Sequence, residues 1–346
     1  MISLRSIGNF FTIFARNILK MKRVFSLLIL VLLLNGCDDG NLTLETIDFE
    51  DATTQTCSDN NILYKLKEKE ALLFEIPKTT FVNEPSNIDS ATGDYIPTVI
   101  DIDNSTYKVV YRFYDGTVAA DNICSTIPPA KPYVSDQWTA ISGKIEITTT
   151  TITSAGSIPG STVITGYNHR IVFKNITFDK GNGTQVYETF VFGDYTTSAT
   201  PLPFGFDKTV EKCTTTKDLY NYISGESLTL ENIDDALIVN IETPLNTPRT
   251  ALIGSVKNKL TYRLFNGLLT PSYFCNTITP VIPTVSEEWN AVNGVANVSG
   301  IIEVTTIKSG TTAFKHTIVI KNATLKKGNS SFKLGDAYLY GELITS

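Results

Sequence analysis

The chain has 346 residues, of which 42% are hydrophobic and 18% charged, a balance that argues against disorder, a coiled coil and a multi-span membrane protein. At about 150 residues per domain this is enough chain for two domains. The formal net charge of −6 becomes −11 once residues 1 to 36, with five basic and no acidic side chains, are set aside; so acidic a surface repels phosphate backbones and argues against nucleic acid as a partner.

At the amino terminus, Met21-Lys22-Arg23 precedes the apolar run Val24 to Leu34 and then Leu34-Asn35-Gly36-Cys37. An 11-residue run is too short to span a bilayer and suits a signal-peptide core. The order of charge, core, small residues and cysteine resembles the signal and lipobox of bacterial lipoproteins. The resemblance implies a signal peptide over 1–36, with Met21 as initiator, and lipidation of Cys37. Asp38-Asp39-Gly40-Asn41 then resembles the export signal of surface lipoproteins in the Bacteroidetes group, whereas in enteric bacteria an Asp there would imply inner-membrane retention. We expect an outer-membrane, surface-exposed protein held by acyl chains. Residues 37–45 form the lipidated cysteine and acidic tether.

The rest of the chain is an internal duplication. Tyr111-Arg112-Phe113-Tyr114-Asp115-Gly116 matches Tyr262-Arg263-Leu264-Phe265-Asn266-Gly267, and a cysteine and a tryptophan follow at identical spacing, Cys124 and Trp138 against Cys275 and Trp289. His169 to Asn175 aligns with His316 to Asn322, Gly193-Asp194 with Gly335-Asp336, and Cys57 with Cys213. This places one copy at 46–197, a Pro-containing connector at 198–203 and a second copy at 204–346. Four cysteines remain beside Cys37, an even number that suits two disulfides in an exported chain. One early and one middle cysteine in each copy make Cys57–Cys124 and Cys213–Cys275 the economical pairing.

Within the first copy, the alternation of Val109, Tyr111 and Phe113 predicts a strand ending at Asp115-Gly116, and its counterpart ends at Asn266-Gly267; both dipeptides favour tight type I′ hairpins. Ser135 and Ser286, each followed by acids, predict a single helical turn seating the tryptophan. Ile145–Ile147 with the threonine run behind it, Ile171–Phe173 and Val186–Phe192 read as further strands, with Gly181-Asn182-Gly183 as the turn between the last two. With no long helical period, the fold class expected is all-β: two tandem homologous antiparallel β-sandwiches, or barrel-like domains, each with one disulfide.

Candidate chemistry is sparse. His169 and His316 occupy equivalent places on the core side of a strand, which suits satisfied histidines more than catalysts. Arg112 and Glu146, with counterparts Arg263 and Glu303, fall on the outer parity and suit a polar site or cross-strand ion pairs. Asp101-Ile102-Asp103-Asn104 lacks the glycine and distal glutamate of a calcium loop. There is no nucleophile elbow, phosphate loop or dinucleotide fingerprint. We therefore expect no catalytic residues, metal or cofactor. The function expected is a membrane-anchored, non-enzymatic binding or adhesion module with a glycan or protein ligand. A hydrolase of envelope or extracellular polymers and a periplasmic envelope-assembly partner are the alternatives.

Overall fold

The structure is a computed structural model describing residues 46–276 and 278–346; the expected signal segment, Cys37 and the expected tether lie outside the described residues. The first copy supplies β1 (Gln55–Thr56), β2 (Ile62–Lys67), β3 (Glu70–Glu75), β4 (Thr98–Asp101), β5 (Lys108–Tyr114), β6 (Val134–Ala155), β7 (Thr162–Asp179) and β8 (Thr184–Ser198). The second supplies β9 (Glu211–Lys212), β10 (Leu219–Ile223), β11 (Glu226–Glu231), β12 (Arg249–Leu252), β13 (Lys259–Phe265), β14 (Val285–Ala291), β15 (Ile301–Ser309), β16 (Ala313–Lys321), β17 (Ala323–Lys327), β18 (Ser330–Gly335) and β19 (Tyr338–Thr345). Period-two patterning explains the strands: along β16, His316, Ile318 and Ile320 are buried and their neighbours are not.

In the second copy the strands form two antiparallel sheets, β18-β17-β14-β13-β11-β10-β9 and β12-β15-β16-β19. Leu228, Leu230 and Tyr262 of the larger sheet share one core with Ile302, Ile318 and Ile320 of the smaller. That is a sandwich, and each fully buried aliphatic side chain in it contributes roughly 1.5–3 kcal/mol. In the first copy the same two layers are joined, because β6, β7 and β8 run through both and give one sheet of order β1-β2-β3-β5-β6-β7-β8 with β4 on β6. Its core includes Phe74, set edge-on to both Phe173 and Phe192, with those two tilted against each other.

The corners have local causes. Asn175 and Asn322 both adopt positive φ, +49° and +50°, a conformation asparagine tolerates better than most residues; they turn β7 in the first copy and separate β16 from β17 in the second. Where β6 bends, Gly143 has φ +142° and a Cβ there would lie 2.8 Å from the Ile176 Cα. The second copy instead breaks between β14 and β15, at Val292–Gly300.

Both disulfides pair as expected, Cys57–Cys124 and Cys213–Cys275, across sequence separations of 67 and 62. On the chain-entropy model each is worth about 4 kcal/mol. Three sequence expectations are corrected. Ser135 and Ser286 lie in strands, not in a helical turn. Their hydroxyls donate across the ladder to the Phe113 and Leu264 carbonyls, beside a register shift in each copy. The acids that follow act as indole acceptors: Trp138 Nε1 donates to Asp136 at 2.9 Å and Trp289 Nε1 to Glu287 at 3.0 Å.

Asp115-Gly116 and Asn266-Gly267 do not make tight hairpins, since the chain runs on through the disulfide loop before returning as β6 or β14. The Asp115 carboxylate accepts from the Tyr133 amide and the Lys131 ammonium of that returning chain. The glycines give room for it: a Cβ at Gly116 or Gly267 would approach Pro132 at 3.5 Å or Pro283 at 3.2 Å. Finally, register aligns Gly193 with Gly341 and not with Gly335, because Gly193 faces Ile171 as Gly341 faces Ile318, each beside a bulge.

A candidate binding cleft between the two copies

Both copies belong to one compact unit, Phe49–Ser346, and they meet through features that they do not share. The span from Glu146 to His169 is ten residues longer than that from Glu303 to His316, so the β6–β7 hairpin overshoots its sheet and its tip reaches the β17–β18 hairpin of the second copy. There Asp336 N donates to the Pro159 carbonyl at 2.8 Å, Lys333 N to Thr162 Oγ1 at 2.9 Å, and Tyr167 Oη and Ser330 Oγ share a buried hydrogen bond of 3.0 Å. Gly335 makes the approach feasible, because a Cβ there would stand 2.7 Å from Ile158 Cγ2 and 2.9 Å from the Pro159 carbonyl, at a φ of +115°. The register-equivalent residue in the first copy is Tyr187.

The connector is held from the other side. Glu226, 4% exposed, accepts from the Phe204 amide at 3.0 Å, the Gly205 amide at 2.6 Å and the Tyr262 hydroxyl at 2.8 Å. Phe204 then stacks on Tyr262 with centroids 4.4 Å apart. Burial pushes the Tyr262 and Tyr338 hydroxyls well up, and the Glu226 carboxylate adds to it, so both stay protonated donors.

Between hairpin, connector and second copy lies a cleft of about 570 Å³, within the range of small-ligand sites. Its aromatic wall includes Phe204, Trp289, Phe332 and Tyr338, its hydroxyl-bearing wall Ser157, Thr162 and Thr200. Glu287 is the one carboxylate among the lining residues. Its Oε2 accepts from both Trp289 Nε1 and, at 2.8 Å, Lys327 Nζ, and Lys327 also sits 5.0 Å from the indole centroid. Lys333 lines the same region but is exposed while Phe332 and Leu334 are buried, so strand alternation sets it on the outer face.

The sequence-singled residues lie elsewhere. His169 and His316 are both fully buried, each in a hydrogen-bonded chain that the duplication copied. His169 Nδ1 meets Thr149 Oγ1 at 2.9 Å and Nε2 meets Thr197 Oγ1 at 3.0 Å, with Thr197 donating onward to Asn83. For His316 the partners are Thr306 at 2.8 Å and Thr345 at 2.8 Å, with Thr345 donating onward to Asn240. Because the outer threonine donates to asparagine, it accepts from Nε2–H, which fixes the neutral imidazole with Nδ1 as acceptor. Burial holds both histidines below their ordinary value, His169 at about 4. The same threonine–histidine–threonine–asparagine chain in both copies suits a structural role; in the second, Thr306 also accepts from Arg249 Nη1 at 2.8 Å.

Arg112 and Glu146 are not brought together. Arg112 Nε donates to Gln137 at 2.9 Å, while Glu146 faces Val99 and Val172 farther along β6. Arg263 pairs with Glu288 at 2.7 Å and Glu231 at 3.1 Å, and Glu303 with Lys321 at 3.7 Å. These are ladder pairs. Asp103 spends one oxygen on the amides of Ser105, Thr106 and Tyr107, as a turn-capping carboxylate does. Among the described residues, no three His, Cys, Asp or Glu side chains cluster as a metal site, and no helix is long and apolar enough to cross a membrane.

Sequence reasoning missed Phe204, Glu226, Glu287 and Gly335. The readable signal was the mismatch between the copies, namely the ten extra residues ahead of His169. No family model, curated protein or solved structure matches this chain.

Proposed function

We propose that this chain is a lipid-anchored, exported lipoprotein of the outer membrane whose two β-sandwich copies hold a ligand in the cleft between them. The observation that carries the binding part is the cleft itself, walled on two sides by the long β6–β7 hairpin and the connector, which have no counterpart in the second copy, and on the third by the sheet of the second copy. The lipobox at Cys37 supports the anchor, and two disulfides suit an oxidising compartment. A non-catalytic role is favoured because a glycosidase of the usual kind needs two carboxylates flanking the bond, and among the described residues Glu287 is the one carboxylate lining the cleft.

Two tests bear on separate parts of the reading. Cys37→Ser is expected to move the chain from the membrane to the soluble fraction, and proteinase K is expected to digest the wild-type chain on intact cells. Retention of the variant in the membrane would remove the lipid anchor, and protection until lysis would place the chain in the periplasm. For binding, Thr200→Trp fills the cleft from the exposed connector. It is expected to lower attachment of chain-bearing cells to immobilised extracellular polysaccharide at least about fivefold, a loss of roughly 1 kcal/mol; undiminished attachment with correct folding would remove the cleft from the function.

A further inference from the structure

The duplication acts as an internal control on which cleft residues serve the framework. Each copy has an acid, a tryptophan and a lysine in the same relation: Asp136, Trp138 and Lys180 in the first, Glu287, Trp289 and Lys327 in the second. In both, the acid accepts the indole N–H and the lysine lies over the ring, at 4.0 Å and 5.0 Å from its centroid. Holding a buried tryptophan is therefore the shared task.

The difference lies in the second carboxylate oxygen. Asp136 spends Oδ1 on the Gln137 amide at 2.8 Å. Glu287, one methylene longer, takes both the indole and Lys327 on Oε2, which leaves Oε1 without a partner among the described residues. Lys327 uses one of its three N–H groups on that carboxylate and keeps others to donate. An open acceptor and an open donor are thus held side by side in the cleft wall. The pair is electrically balanced, and Lys333 points to the outer face.

We propose that this pair recognises adjacent hydroxyl groups of a neutral sugar ring, Glu287 Oε1 accepting from one hydroxyl and Lys327 Nζ donating to the next, with the aromatic wall against the ring's C–H face. The proposal rests on the binding reading above and names its ligand class. A neutral sugar fits on three grounds. Its vicinal hydroxyls can engage both open groups at once. Its C–H faces suit Phe204 and Tyr338, while its remaining hydroxyls suit Ser157 and Thr200. An acyl chain would desolvate the ion pair and hydroxyls without replacing their hydrogen bonds, and a polyanion would meet Glu287 with no surplus cation facing it.

The test is a fluorescence titration of the full-length chain, whose only tryptophans are Trp138 and Trp289, with cellotriose, maltotriose, galactotriose and mannotriose. At least one is expected to shift the emission saturably with a Kd on the order of 1 mM or below. Glu287→Gln removes the charge but keeps an acceptor for the indole, and Lys327→Met keeps the stem over the ring. Each is expected to weaken binding about tenfold, which corresponds to about 1.4 kcal/mol, with an unchanged melting temperature as the check on folding. Periodate cleavage of the sugar's vicinal diols is expected to abolish the signal.

Equal affinity in both variants would overturn the proposal while leaving a cleft that binds sugars. If the four sugars are silent and an extended peptide or an acidic saccharide titrates the emission, the proposal falls and the binding reading stands. Silence from all of these, together with undiminished attachment by Thr200→Trp, ends both.

Discussion

Glu226→Ala is expected to cost about 4 kcal/mol of unfolding free energy, from the loss of three hydrogen bonds to a buried carboxylate and the stranding of their donors. The Phe204 and Gly205 amides and the Tyr262 hydroxyl all point at it, among the described residues none of the three has a second acceptor, and Tyr262 is fully buried. Glu226→Gln, which keeps one acceptor oxygen, is expected to cost about 1–2 kcal/mol. Urea unfolding measures the first number, and hydrogen exchange at Phe204 and Gly205 locates it, because those amides become the fastest-opening part of the second copy. A variant within 0.5 kcal/mol of wild type, a margin about the size of an ordinary surface substitution, would show that the connector is held by ring packing alone.

The second large effect is acid sensitivity. His169 is neutral in the fold and held at about 4 by burial, with Phe81 5.2 Å away and Tyr195 6.1 Å away between ring centroids. In the unfolded chain it returns to about 6.5. A histidine whose folded value is depressed contributes its full stability above the unfolded value. That contribution drains away as pH falls from 6.5 toward 4, in total about 3 kcal/mol. His316 is shifted in the same direction, by burial first and then by Arg249 and Lys212, and adds to the slope. Unfolding free energies of wild type and His169→Gln at pH 7.5, 5.5 and 4.5 should converge as the pH drops. A constant difference between them would mean that His169 does not titrate over this range.

The tandem organisation, the strand-rich character and the disulfide pairing were legible because they are written as repetition and alternation. Equal spacing of Arg, Cys and Trp exposed the duplication, and the duplication then restricted the cysteine pairing. What was illegible depended on register and on contacts between distant segments. The two-residue turn signals at Asp115-Gly116 and Asn266-Gly267 are local preferences overridden by a disulfide loop that must leave and return. Ser135 and Ser286 have cap chemistry, but the hydroxyl found a cross-strand carbonyl instead. Gly335 could not be recognised as a contact residue without knowing that the register-matched position carries Tyr187. Asn83 and Asn240, which accept from the outer threonines of the histidine chains, recur at the same offset as Glu146 and Glu303, so that signal was present and went unused.

The docking of the two copies has one more consequence. The long β6–β7 hairpin is a knob carried only by the first copy, and the bare backbone at Gly335 is a socket carried only by the second. A repeat bearing both would bind its own kind head to tail, and such a heterologous contact adds subunits without end when its rotation does not close. Here the knob is already seated within its own chain, the second copy's short β15–β16 hairpin offers no replacement, and Tyr187 fills the place where the first copy would need a socket. With the hairpin tip hydrogen-bonded to the second copy of its own chain, knob and socket occupy each other, and neither is open to a second chain through this same contact.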